Sequence, residues 1–176
     1  EVIRQLHLQN VIIIGHSMGG AAILEAAVAY PEPIIGFVGV DFFKMAGTAF
    51  PPEIQAQIPG ILKNLHDDFP NASEAYARQA LLTPETDAEI TDRVVNDYRN
   101  ADPIMGVGSI ESVFSYWKRE RELLQQLPFK LYLIQCDYFP TQEAPLQAYA
   151  KSGYEITHIH ATSHYPMIEK PADFNR

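Results

Sequence analysis

The sequence predicts an α/β fold, a mostly parallel sheet flanked by helices and carrying a helical insertion, on three observations. Wholly apolar, β-branched runs such as Val11 to Ile14 and Ile34 to Val40 alternate with Ala- and Leu-rich stretches, the pattern of strands buried on both faces of a parallel sheet. Glycines at 15, 19 and 20 join the first of these strands to the helix after it. From about Lys44 to Gly108, prolines at 51, 52, 59, 70, 84 and 103 punctuate short amphipathic segments, which read as helices inserted into the sheet.

The opening residues EVIRQLHLQN read as the tail of a helix entering a strand at Val11. Ala21 to Tyr30, with Glu25 its one charge, reads as a buried helix stopped by Pro31 and Pro33. Ile34 to Val40 is then a second strand ending at Asp41, and strand, helix and strand make a βαβ unit with a right-handed crossover. After the insertion, Ser109 is placed to cap a longer helix whose Ile110, Val113, Phe114 and Trp117 recur at spacings of three and four. Lys130 to Gln135 predicts a third strand, Glu143 to Lys151 a helix closed by Gly153, and Tyr154 to His160 a fourth strand before a short helical stub. The predicted organisation is therefore sheet core over 1–43, helical insertion over 44–108 and sheet core again over 109–176. Both ends read as cut within an element, so the chain is expected to continue beyond them.

Composition narrows the partners. The chain has 176 residues, 47% of them hydrophobic, enough for one domain with a real core. Thirteen Lys and Arg against 22 Asp and Glu give a net charge of −9, and no basic run could track a phosphate backbone, which argues against nucleic acid. No stretch approaches the ~20 apolar residues of a membrane-spanning helix, so no membrane partner is expected. A single cysteine, Cys136, excludes an internal disulfide and a Cys-rich zinc cluster. It fits a reducing, cytoplasmic compartment.

Gly15-His16-Ser17-Met18-Gly19 matches the G-x-S-x-G nucleophile elbow, with Gly20 a further small residue. Small residues around the serine permit the sharp turn that lifts its hydroxyl out of the sheet. The following helix N-terminus offers backbone N–H groups, that of Met18 among them, to a developing oxyanion. A Gly-rich turn that only binds an anion is the bland alternative.

A serine hydroxyl needs a histidine base and a carboxylate to orient that base, in the chain order Ser, acid, His. Among six histidines, His164 stands in a loop just past the last strand, where parallel sheets keep their working residues. Asp137, after the run Leu131 to Ile134, is the expected acid, and Asp41, at the end of the neighbouring strand, is its rival. His16, Phe42 and Trp117 are the candidate substrate-binding residues. Phe43 and Phe50 could share that lining, although core packing accounts for aromatics equally well. His158 and His160 form an H-x-H pair with no plausible third ligand, so no metal is expected. Cys136 reads as a buried small residue.

These residues resemble the α/β-hydrolase superfamily, specifically its cap-bearing, esterase-like serine hydrolases. Val11 to Gly20 is similar to the fifth strand and elbow, Leu131 to Pro140 to the seventh strand with its acid, and Ser163 to Pro171 to the loop bearing the histidine. The resemblance implies that Lys44 to Gly108 is a cap over the site. It also implies cleavage of a carboxylic ester or similar acyl bond in a small molecule through an acyl-enzyme, without a cofactor. C–C hydrolase, lactonase or peroxidase chemistry would use the same residues. A ligand-binding or signalling protein on the same scaffold is the alternative. Family members have strands before the elbow and a His-Gly loop that supplies a second oxyanion donor, and neither is in this sequence, so these residues alone are expected to be inactive or poorly folded. The usual Gly before the acid is also replaced, here by Gln135-Cys136.

Overall fold

The computed structural model describes residues 1–176. Its core is a four-stranded sheet of β1 (Val11–His16), β2 (Ile34–Val40), β3 (Leu131–Cys136) and β4 (Tyr154–Ile159), in the order β1-β2-β3-β4. β1 pairs parallel with β2, and β2 parallel with β3. The chain divides into two compact units, described in turn.

The first unit comprises Glu1–Ala49, Tyr116–Gln135 and Phe139–His158. It contains most of the sheet with α1 (Val2–Gln5), α2 (Met18–Ala29), α7 (Trp117–Leu124) and α8 (Glu143–Tyr149). The register sets Ile13 beside Phe37 and Phe37 beside Leu131, with Gly15, Gly39 and Leu133 the next row along. These residues share the covered face, where Ile13, Phe37, Leu131 and Leu133 join Leu24 and Ala27 of α2, Leu123 and Leu124 of α7 and Leu146 of α8 in one apolar core. The opposite face aligns Ile14, Val38 and Tyr132, and Ile12, Ile14 and Tyr132 are exposed there. A strand covered on one face alternates in burial, as β1 does, although its sequence is apolar throughout.

The second unit comprises Phe50–Ser115, Cys136–Tyr138 and Ile159–Arg176. It holds α3 (Pro52–Asp67), α4 (Phe69–Ala80), α5 (Ala88–Arg99), α6 (Pro103–Ser115), α9 (Pro166–Glu169) and α10 (Pro171–Phe174). Prolines start rather than break most of these helices, standing in the first turn of α3, α4, α9 and α10, where a missing N–H costs nothing. Asp68 and Asp87 cap α4 and α5 through their side chains. Leu65, Phe69, Val107 and Ile110 form one small core, and Ala77, Leu82, Val94 and Val95 a second.

Ser109 does not cap a helix. It lies inside α6, which starts six residues earlier at Pro103 and ends at Ser115, so the predicted long helix is the end of one helix and the start of another. Asp102 supplies the first-turn acceptor instead, to the N–H of Met105. The fourth strand stops at Ile159, one residue short of His160. No helix is long and apolar enough to cross a membrane.

Candidate active site

At the elbow the backbone of Ser17 takes φ 52° and ψ −127°, a region that costs a non-glycine residue on the order of 1–3 kcal/mol. Its neighbours hold it there. The Ser17 N–H donates to Val40 O at 2.9 Å, continuing the β1–β2 ladder past the strand end, and the Gly20 N–H returns to Ser17 O at 2.8 Å as α2 begins. A Cβ on Gly15 would lie 2.6 Å from Gly19 O, and one on Gly20 would lie 2.3 Å from the Phe42 ring. Glycine is therefore a steric requirement at 15 and 20, whereas a Cβ on Gly19 would meet nothing within 4 Å. Met18 opens α2, so its N–H is among the first-turn donors that have no partner within the helix.

One strand over, the chain repeats the device. Asp41 follows β2 with φ 45°, and its N–H bonds Ile134 O at 2.8 Å. Ser17 and Asp41 thus stand in left-handed backbone at the C-terminal ends of two hydrogen-bonded parallel strands, the edge at which such sheets carry their chemistry. The Asp41 carboxylate is fully buried and lies 2.8 Å from Lys44 Nζ, which also donates to Phe139 O at 2.9 Å. Phe43, Ala46 and Gly47 add three more positive φ values to this short loop. α7 holds its far end: Glu120 accepts from the Gly47 N–H, and Arg121 Nε donates to Gly47 O at 2.9 Å. Burial pushes the Glu120 carboxyl up to about 7, with the Gly47 N–H pulling the other way.

In the second unit, the segment after β4 is bonded residue by residue. The Ala161 N–H, at φ 52°, donates to the Asp137 carboxylate at 3.1 Å, and His160 Nδ1 lies 3.2 Å from the same carboxylate. Thr162 Oγ1 donates to Ile159 O at 3.0 Å. The Ser163 N–H and hydroxyl both donate to Glu169. Lys170 Nζ reaches His160 O at 2.6 Å, and the His164 N–H donates to Leu81 O at 3.0 Å. His164 is 5% exposed. Its Nδ1 lies 3.0 Å from Tyr138 Oη, and its ring meets that of Tyr165 edge-on at 5.3 Å.

The Asp137 carboxylate faces the Ala161 N–H and the His160 ring, and Tyr138, one residue on, meets the His164 imidazole. Burial raises and these two donors lower the Asp137 carboxyl, leaving it below the usual range. Phe42 packs against Gly20, Phe43 and the apolar core, with ring centroids of the two phenylalanines 4.1 Å apart. Trp117 opens α7 with Lys118 Nζ 5.2 Å and the Arg121 guanidinium 5.3 Å from its ring. His16 closes β1 opposite Val40. Cys136 is buried. His158 lies in β4 and His160 just past its end, and no group of three or more His, Cys, Asp or Glu is placed to hold a metal ion.

Sequence reading missed Tyr138, Glu120 and Glu169. Tyr138 follows the end of β3, and its polar tip was the available signal. Glu120 stands in the charged run Lys118 to Glu122, where nothing marks one carboxylate as the buried one.

The family and the fold have independent support from known proteins. A model of the Alpha/beta hydrolase family matches residues 1–176. No curated protein matches. Among solved structures, the chain is similar to a hydrolase from Oleispira antarctica, with a TM-score of 0.79 and 16% identity over 98% of this chain and 64% of that one. It is similar to a bromoperoxidase from Bacillus anthracis, with a TM-score of 0.75 and 16% identity over 99% and 67%. It is also similar to 2-hydroxy-6-oxo-6-phenylhexa-2,4-dienoate hydrolase from Rhodococcus sp. strain RHA1, with a TM-score of 0.67 and 17% identity over 98% and 64%. The chain thus spans about two thirds of the length of these structures. With a strand, elbow and helix in place and a family model covering every residue, this chain belongs to the Alpha/beta hydrolase family.

Proposed function

We propose that this chain supplies the nucleophile and the base of a serine hydrolase that cleaves a carboxylic ester or a similarly activated acyl bond in a small molecule. The observation that carries the reading is Ser17 itself, a serine held at φ 52° between strand β1 and the N-terminus of α2. His164 takes the Ser17 proton as Oγ attacks the acyl carbon, then returns it to the leaving group, and water repeats the cycle on the acyl-enzyme. The Met18 N–H helps to bind the tetrahedral oxyanion. This chemistry calls for no cofactor.

We assign the supporting carboxylate to Asp41 rather than Asp137. Asp137 is half exposed and engaged by His160 and Ala161, whereas Asp41 is buried and ends the strand that Ser17 is bonded to. The acid of such a triad accepts from the histidine and stabilises the imidazolium that forms, a role for which we favour the buried carboxylate. Within the acyl-transfer class, the residues above serve esters, lactones and C–C bonds alike.

The test is covalent labelling of the complete protein with a fluorophosphonate, located by peptide mass spectrometry, in the wild type and in Ser17→Ala, His164→Ala, Asp41→Asn and Asp137→Asn. Label on Ser17 that is lost in the first two variants, sharply slowed in the third and retained in the fourth is expected. Slowing in Asp137→Asn alone would return the acid to Asp137. A folded wild type that takes no label would favour a ligand-binding or signalling protein on the same scaffold.

A further inference from the structure

We propose that Tyr138 is a positioning residue that fixes the tautomer of His164, an inference that rests on His164 being the base. For His164 to accept the Ser17 proton at Nε2, the neutral ring must carry its own proton on Nδ1, and the acceptor facing Nδ1 decides whether it does. In this structure the Tyr138 phenol oxygen lies 3.0 Å from Nδ1. A phenol can accept from Nδ1–H or donate to a bare Nδ1, and only the first leaves Nε2 as a base. An N–H can be shared between two acceptors, so the phenol adds to a supporting carboxylate rather than replacing it.

The surroundings favour a role in aiming the ring over one in holding the loop. The backbone from Ala161 to His164 is fixed by Asp137, Glu169 and Leu81 O, none of which involves the phenol. Tyr165 lies edge-on against the imidazole at 5.3 Å, and an aromatic edge offers Nδ1 no acceptor. Removing the Tyr138 hydroxyl alone therefore leaves the loop's own bonds in place while withdrawing a partner from Nδ1. During acylation the Ser17 Oγ–H bond breaks as the bond from Oγ to the acyl carbon forms, the proton goes to Nε2, and the phenol oxygen bears part of the imidazolium charge through Nδ1–H. On return of that proton to the leaving group, the ring is neutral again with Nδ1 still protonated.

The experiment has two arms on the complete protein. The first is ¹⁵N NMR of histidine-labelled wild type, with His164→Gln to assign the ring. Protonation at Nδ1 in the neutral form is expected, and a ring protonated at Nε2 overturns the proposal without any variant having to fold well. The second is hydrolysis of p-nitrophenyl acetate by Tyr138→Phe. The loss of one hydrogen bond predicts a fall in kcat on the order of tenfold with KM unchanged. Unaltered kcat in Tyr138→Phe, while His164→Gln is inactive, overturns the role of the phenol and leaves the hydrolase reading standing. A wild type that neither hydrolyses the ester nor labels at Ser17 overturns both.

Discussion

The Glu120 carboxylate accepts a 2.7 Å hydrogen bond from the backbone N–H of Gly47, and both residues are buried. This carboxyl is therefore part of what holds the strained loop after β2. Its folded value of about 7 stands above the ordinary 4.5 because burial disfavours the charge. A raised carboxyl contributes its stability fully below the ordinary value and loses it as pH rises through the folded one. Stability should accordingly fall by on the order of 3 kcal/mol from this group between about pH 4.5 and pH 7. Glu120→Gln keeps an acceptor for Gly47 without the titration, and urea melts should show a shallower pH dependence for it across that window.

Gly20 and Gly19 should respond oppositely to the same substitution. Alanine at 20 would drive its methyl into the Phe42 ring and cost about 1–3 kcal/mol by overpacking. Alanine at 19 meets nothing within 4 Å and should add up to about 1 kcal/mol through helix propensity. Thermal melts of the two variants check the pair, and adding Phe42→Ala to Gly20→Ala should recover part of the loss.

The loop that carries His164 depends on a second carboxylate, Glu169, which takes both the N–H and the hydroxyl of Ser163. Glu169→Ala should leave a buried donor pair unsatisfied and cost about 1–3 kcal/mol. Hydrogen exchange should show faster opening at residues 161–165, with the helices α3 to α5 unaffected.

Asp137 predicts an acid-side effect of the opposite sign to that of Glu120. Its folded carboxyl is held below the usual 3.8, so its contribution is present above that value and is lost as pH falls below it. The effect is small, because the side chain is 46% exposed. Comparison of Asp137→Asn with wild type in acid titrations should show the two curves converging as pH falls below 3.8.

Much of this could be read before any coordinates. The strand, turn and helix around Ser17 were legible because three local signals agreed there: a β-branched run, clustered glycines and an Ala-rich helix. Ile34 to Val40 was legible to the residue, because an apolar run bounded by Pro33 and Asp41 leaves little choice of ends. Where local signals were weak, the reading slipped. Ser109 looked like a cap, yet Asp102 and Pro103 start that helix seven and six residues earlier, and the apolar spacing from Ile110 to Trp117 ran unnoticed across a break at Tyr116. The expectation of Asp137 as the acid rested on chain order, its place after the run Leu131 to Ile134 and the family resemblance. The bond from the Ala161 N–H to that carboxylate was not legible, because it goes with a positive φ at an alanine, which composition does not signal. The Glu120 clasp was hidden for a related reason, since which carboxylate of a charged helix turns inward depends on how the helix packs.

The backbone at Ser17 carries a further implication for how this chain would change under selection. Of all residues, glycine tolerates φ 52° best, so a position uncomfortable with its present side chain is the one proposed to do the chemistry. A library screened only for expression or heat resistance should drift towards glycine at 17, because nothing in such a screen rewards the hydroxyl. Serine persisting there in a lineage would record selection for its hydroxyl, kept against the conformational preference of the chain itself.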